Sequence, residues 1–155
     1  MTSRNPDIMN RSNLLFRLSL MMRRWRQILD VGIGASGLTD ATWRPLLHLH
    51  LLGEGTRQKD LAESLGIKGS SLVRLLDTLL TKGLVRRLED ESDRRAKLLF
   101  LTPQGQELVN RIQKIILALE DELFEKLSEG EIIQMKNFIL RLESAMSEID
   151  LQGKQ

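Results

Sequence analysis

Apolar positions recur along most of this chain at helical spacing, with one break. Leu14, Leu18, Met21, Trp25 and Ile28 stand 4, 3, 4 and 3 residues apart. That is a stripe down one face of a helix. The pattern predicts a helix from Asn10, ended by Gly32, Gly34 and Gly37, with residues 1–9 disordered. Thr39 suits the N-cap of a second helix through Trp43, Leu46, Leu47 and Leu51. Pro45 falls in its first turns, where a missing N–H costs least, and Gly53 and Gly55 close it. Thr56 suits the cap of a short helix, Arg57 to Leu65, stopped by Gly66. Another helix runs from about Ser70 to Lys82, with Gly83 in the position just past the end that favours glycine.

There the period shifts from helical to alternating. Leu84–Leu88 and Lys97–Leu101 read as two short strands, and the Asp/Glu/Ser/Arg segment between them as a hairpin loop. Thr102-Pro103 then starts a long helix with an apolar stripe at Leu108, Ile112, Ile115, Leu119 and Leu123. Ser128-Glu129-Gly130-Glu131 is a capping box. It opens a last helix whose Ile132, Met135, Ile139, Leu142, Met146 and Ile149 again alternate three and four apart. The class is mainly α with a small β-hairpin.

Composition narrows the functions available. The chain has 155 residues, 41% hydrophobic and 28% charged, the values of an ordinary globular protein. No apolar run approaches the ~20 residues that span a bilayer, so no membrane partner is expected. The N-terminus lacks the apolar core of a secretory signal. Without cysteine there is no disulfide, thiolate metal site or thiol redox switch, which fits a cytoplasmic protein. Two histidines are too few for most metal centres, and no metal or other cofactor is expected. There is no Gly-rich phosphate loop, and no nucleophile and base stand at catalytic spacing, so an enzyme is the poorest reading. The net charge of +2 is unevenly placed: +4 over residues 1–52, +2 over 53–105 and −4 over 106–155. An anionic partner would meet the first two-thirds.

The middle of the chain carries the chemistry. With Gln58 as the first position of a helix-turn-helix, Leu61, Leu65, Ile67, Leu72 and Leu75 take the inward positions. Ala62 falls where the helices cross closely, and Gly66 where the turn needs a left-handed residue. The competing reading is a plain antiparallel helix pair. In a helix-turn-helix the second helix enters the DNA major groove. Its exposed start would present Lys68, Gly69, Ser70, Ser71 and Arg74, hydroxyls and a guanidinium suited to base edges and phosphates. Ser70 and Ser71 also suit plain N-capping. Arg57, Gln58 and Lys59 open the preceding helix and would touch backbone phosphates.

The hairpin that follows has the place of a wing, whose tip can reach the neighbouring minor groove. Arg94 and Arg95 are the candidates to enter it, with Asp93 holding an arginine fork in one geometry. A solvated, salt-bridged hairpin is the alternative. The apolar seams of the first and last helices predict a homodimer, the alternative being that they pack on each other within one chain. Its two-fold axis would set two recognition helices one DNA turn, about 34 Å, apart. Residues 10–37 and 106–150 would form the dimerisation module and 38–105 the DNA-binding lobe.

Leu61-Ala62-Glu63-Ser64-Leu65-Gly66-Ile67, Ser70-Ser71-Leu72-Val73-Arg74-Leu75-Leu76-Asp77, Lys82-Gly83-Leu84-Val85, Asp93-Arg94-Arg95-Ala96-Lys97 and Leu101-Thr102-Pro103-Gln104-Gly105 together resemble the MarR family of bacterial transcription regulators. Leu38-Thr39, Thr42-Trp43 and Leu47-His48-Leu49-His50 bring the SlyA-like branch nearest. The resemblance implies a dimeric winged-helix repressor or activator of a pseudo-palindromic operator. It implies that Arg95 enters the minor groove with Asp93 bracing it, and that Ser70, Ser71 and Arg74 contact the major groove. It also implies an effector, a small aromatic carboxylate or phenolic acid. Arg26, Trp43, Arg44, His48 and His50 are the candidate residues for it: Trp43 to stack on a ring, an arginine or histidine to pair with a carboxylate; the alternative is Trp43 in the core and the histidines as ordinary polar helix residues. The alternative to a DNA-binding regulator is a helical dimer whose winged helix docks a protein.

Overall fold

A computed structural model describes residues 13–152, with side chains as far as residue 149. The expectations for residues 1–9 and for a helix start at Asn10 lie outside it. The described chain contains helices α1 (Leu14–Gly34), α2 (Asp40–Leu52), α3 (Gln58–Leu65), α4 (Gly69–Thr81), α5 (Pro103–Phe124) and α6 (Glu129–Gln152). Strands β1 (Thr56–Arg57), β2 (Val85–Glu89) and β3 (Lys97–Leu101) form an antiparallel sheet in the order β1-β3-β2. The chain divides into two compact units, residues 1–116 and 117–155.

Unit 1 is built round one leucine-rich core. Leu46 and Leu49 of α2, Leu61, Ala62 and Leu65 of α3, and Leu72, Leu76 and Leu79 of α4 meet Leu84, Val85, Leu99 and Val109. The expected inward set is right for Leu61, Leu65 and Leu72, while Ile67 packs against the core half-buried. Leu75 needs correcting. It is only half-buried, and its neighbour Leu76 is fully enclosed. At 3.6 residues per turn, Leu72, Leu76 and Leu79 share one stripe and Leu75 lies at its edge.

Turn chemistry explains where the helices stop. Gly66 has φ +65°, and Ile67 N–H returns to the Ala62 carbonyl at 3.1 Å. Gly83 has φ +69°, and Leu84 N–H returns to the Leu79 carbonyl at 3.0 Å. Both are helix ends that only glycine closes without strain. The α1 end corrects the expectation: the helix runs through Gly32 to Gly34, and Gly37 (φ +84°) makes the turn. Pro45 is corrected as well, since it lies in the second turn of α2, buried. Its ring fills core space, which offsets the hydrogen bond it cannot make.

Thr56 is a strand residue and not a helix cap. It pairs with Leu99 of β3, and its hydroxyl donates to the Gly53 carbonyl at 2.7 Å. A two-residue strand has too short a pattern to be read locally. The hairpin register is regular, from Val85 opposite Leu101 to Glu89 opposite Lys97. The expected caps at Thr102 and Ser128 are in place. Gly105 N–H donates to the Thr102 hydroxyl at 3.0 Å, and Ser128 N–H donates to the Glu131 carboxylate at 2.8 Å.

The apolar seams are mostly exposed, with Trp25, Ile132 and Met135 half-buried. On α1, Leu14, Leu18, Met21 and Ile28 are open to solvent, while Leu29 and Ile33 anchor the helix. In unit 2, α6 buries none of its described residues: of the expected seam Ile139, Leu142, Met146 and Ile149 are exposed and Ile132 and Met135 half-buried, with Ile133 and Phe138 exposed beside them.

Candidate nucleic-acid interface

The start of α4 is held by backbone alone. Lys68 occupies the N-cap position, its carbonyl accepting from Ser71 N–H at 3.0 Å and Leu72 N–H at 3.1 Å. No side chain caps the helix, so Ser70 and Ser71 are not its caps. Lys68, Gly69, Ser70, Ser71 and Arg74 are all exposed. A Cβ placed on Gly69 would meet nothing within 4 Å, so the backbone here is open to a close approach. Free N–H groups and the helix dipole make this end attractive to an anion. Two hydroxyls and a guanidinium add hydrogen-bonding capacity suited to base edges.

The three residues opening α3 fare differently. Lys59 is exposed and unpaired among the described residues. Gln58 is half-buried, with its side-chain oxygen out of solvent and without a hydrogen-bond partner. Arg57 is engaged: its Nη2 lies 3.0 Å from Asp90 Oδ2. Of the three, only Lys59 presents a free charge.

The wing carries its arginines at the tip. Arg94 and Arg95 are exposed and make no ion pair among the described residues. Asp93 acts otherwise than expected. Its Oδ1 accepts the backbone N–H of Arg95 at 3.0 Å, and its carbonyl accepts Ala96 N–H at 2.8 Å. It braces the loop through the main chain and leaves both guanidinium groups free. Asp and Asn favour this turn because their side chains reach the N–H two residues on. Lower on the hairpin, Glu89 and Lys97 pair across the strands at 2.6 Å. The Lys97 ammonium is what draws the Glu89 pKa below its usual value. Arg86 stacks over the Phe100 ring at 4.5 Å.

Asp90 was missed from sequence. Its Oδ1 accepts both the Ser92 N–H (2.9 Å) and the Ser92 hydroxyl (2.7 Å). Those bonds, helped by Arg57, hold its carboxyl below the usual carboxylate range. The Asp-x-Ser spacing was a legible turn signal, but the partner Arg57 lies 33 residues away.

The candidate effector residues split into two places. Asp40 gathers Arg26 (3.2 Å) and Arg44 (3.6 Å). His48 lies near both arginines, and its Nδ1 is 2.8 Å from the Ser64 hydroxyl. Partial burial, then Arg44 and Arg26, push its pKa below the ordinary 6.5. Trp43 corrects the stacking expectation. It is 4% exposed, and its indole N–H donates to Asp30 at 3.1 Å, so neither face is free for a ligand ring. His50 is on another side of α2, 3.3 Å from Gln106 Oε1. It helps line a shallow cleft of about 230 Å³ with Leu49, Gly53, Glu54, Leu101 and Gln106. No cluster of three or more metal-ligating side chains occurs among the described residues, and no described helix is long and apolar enough to cross a membrane.

Comparison with known proteins agrees with this architecture. The sequence pattern of the MarR family matches residues 36–96. The structure of a transcriptional regulator, PA3341, is 35% identical, covering 87% of this chain and 98% of its own, with a TM-score of 0.77. MarR itself is 29% identical over 87% of this chain and 98% of its own, with a TM-score of 0.71. A mutant of MepR from S. aureus, bound to an oligodeoxyribonucleotide, is 29% identical over 88% of this chain and 99% of its own, with a TM-score of 0.57. With the helix-turn-helix, the hairpin after it and this similarity over nearly the full chain, the protein belongs to the MarR family of transcriptional regulators.

Proposed function

We propose that this protein is a homodimeric, cytoplasmic DNA-binding repressor of a pseudo-palindromic operator. The observation that carries the reading is the free chemistry on unit 1. The α4 start offers uncapped serines and Arg74, and the wing tip offers two unpaired arginines. In this reading Ser70, Ser71 and Arg74 meet base edges in the major groove. Lys59 and Lys68 meet phosphates. Arg95, with Arg94 beside it, enters the flanking minor groove, where the negative potential is strongest. The polar, basic character of these positions favours a nucleic acid over a protein partner. The MepR relative held on an oligodeoxyribonucleotide supports the same choice.

Homodimerisation is supported by the exposed apolar faces of α1 and α6, which a second copy of the chain would cover. A two-fold pair would read half-sites about one helical turn apart, near 34 Å. A small aromatic carboxylate or phenolic acid is the effector class. Arg26, Arg44 and His48 are its anion-binding candidates, and such a ligand would compete with Asp40 for the two guanidinium groups.

Selection of bound DNA from a random pool tests the reading. A palindromic site with half-sites one turn apart is expected, with affinity falling steeply as salt rises. Recovery of no enriched sequence would overturn it.

A further inference from the structure

A side chain of β1 ties the wing tip to the body of its lobe. Arg57 ends β1 and sits directly opposite Leu98 of β3, which in turn sits opposite Leu88 of β2. Residues directly opposite one another on adjacent strands share a face. Arg57 therefore lies on the outer face of the sheet, one strand removed from β2. Its guanidinium reaches Asp90, the first residue past β2, at 3.0 Å. The Asp90 side chain is only 14% exposed, against 50% for Arg57.

Asp90 uses its two oxygens for two tasks. Oδ2 takes Arg57, and Oδ1 takes the N–H and hydroxyl of Ser92. The same residue's N–H donates to the Ala96 carbonyl at 3.1 Å, closing the loop. Asp93 N–H donates to the Asp90 carbonyl at 3.3 Å, and Asp93 Oδ1 accepts the Arg95 N–H at 3.0 Å. A continuous path of hydrogen bonds thus runs from the residue that opens α3 to the backbone of Arg95. The other cross-strand charge pair of the wing, Glu89–Lys97, joins only β2 and β3.

The geometry points to Arg57 and Asp90 as a clamp that sets the wing tip against the helix-turn-helix, making both positioning residues for DNA recognition. The assignment rests on the function proposed above. It replaces the expected phosphate contact of Arg57, whose charge is already committed. It also accounts for a carboxylate kept ionised beside a surface that is to meet a polyanion. Bare electrostatics says such a charge should weaken binding. A clamp makes the opposite statement: the charge strengthens specific binding, because the backbone that carries Arg95 is already in place.

That difference in sign is the test. In Asp90→Asn the isosteric amide removes the charge. The clamp predicts specific operator affinity about tenfold lower, the order of one charge-assisted hydrogen bond, with thermal stability unchanged. In an Arg95→Ala background the same substitution has no further effect, since the residue it positions is gone. Arg57→Met gives the same specific loss, and Arg57→Lys restores part of it. A second readout needs no DNA: trypsin cuts after Arg94 and Arg95 faster in Arg57→Met and Asp90→Asn than in the parent protein. Affinity equal to or above the parent's in Asp90→Asn overturns the proposal, as do unchanged nicking rates. If the parent selects no DNA, the functional reading fails, and the nicking rates still decide the clamp.

Discussion

The base and the tip of the wing are built on opposite principles. At the base, Leu84 and Val85 are buried, Thr102 N–H donates to the Leu84 carbonyl at 3.1 Å, and the Thr102 hydroxyl donates to the Gly83 carbonyl at 2.6 Å. Gly105 comes so close that an added Cβ would stand 2.0 Å from the Leu84 oxygen. At the tip, residues 91–95 are all exposed and held by short polar turns. The base has no room left and the tip leaves its two arginine side chains free. Rigidity in one is what allows the other to present charge: an exposed arginine on an unanchored loop would lose more entropy on binding.

The largest break of this contrast is Gly105→Ala. The clash is with backbone and cannot be relieved by a side chain turning away, so we expect a loss of about 3 kcal/mol, the order of severe overpacking. A fall in denaturation midpoint checks it; an unchanged midpoint would mean that the first turn of α5 is free to shift. Next is Arg95→Ala at the tip. Specific DNA affinity should drop about 10- to 100-fold, the usual worth of a specific groove contact, while the melting temperature stays that of the parent. A titration with operator and with random DNA separates the two effects.

Thr102→Ala sharpens the comparison from the base side. It removes the cap on Gly105 N–H and the tie to Gly83, with an expected cost of about 1 kcal/mol. The smallest effect concerns His48, half-buried between base-like and tip-like conditions. Its pKa is lower in the folded protein than the ordinary 6.5. The unfolded chain therefore takes up the proton first, and stability falls as pH drops below about 6.5. Above that pH the contribution is fully present. His48→Gln should flatten this part of the stability–pH curve, read from denaturant midpoints between neutral and mildly acidic pH.

Much of this was legible from local pattern. Gly66 and Gly83 marked helix ends because a left-handed residue is required there whatever the rest of the chain does. The caps at Thr102 and Ser128 followed from spacing alone. Leu75 was misjudged because a helix stripe is wide, and which edge is enclosed depends on what packs there. Trp43 looked like a ligand platform by residue type, yet the core and Asp30 had already claimed it.

Local periodicity, glycine placement and capping chemistry were enough to fix six helices, a hairpin and the basic residues at its tip, because each depends on neighbours within about one helical turn. The rest came from the fold. The third strand at Thr56, the Arg57–Asp90 bond and the grouping of Arg26, Arg44 and His48 all join residues far apart in the chain. A contact across such separations leaves no mark in the local pattern, since only packing of the leucine core brings its two ends within hydrogen-bonding distance.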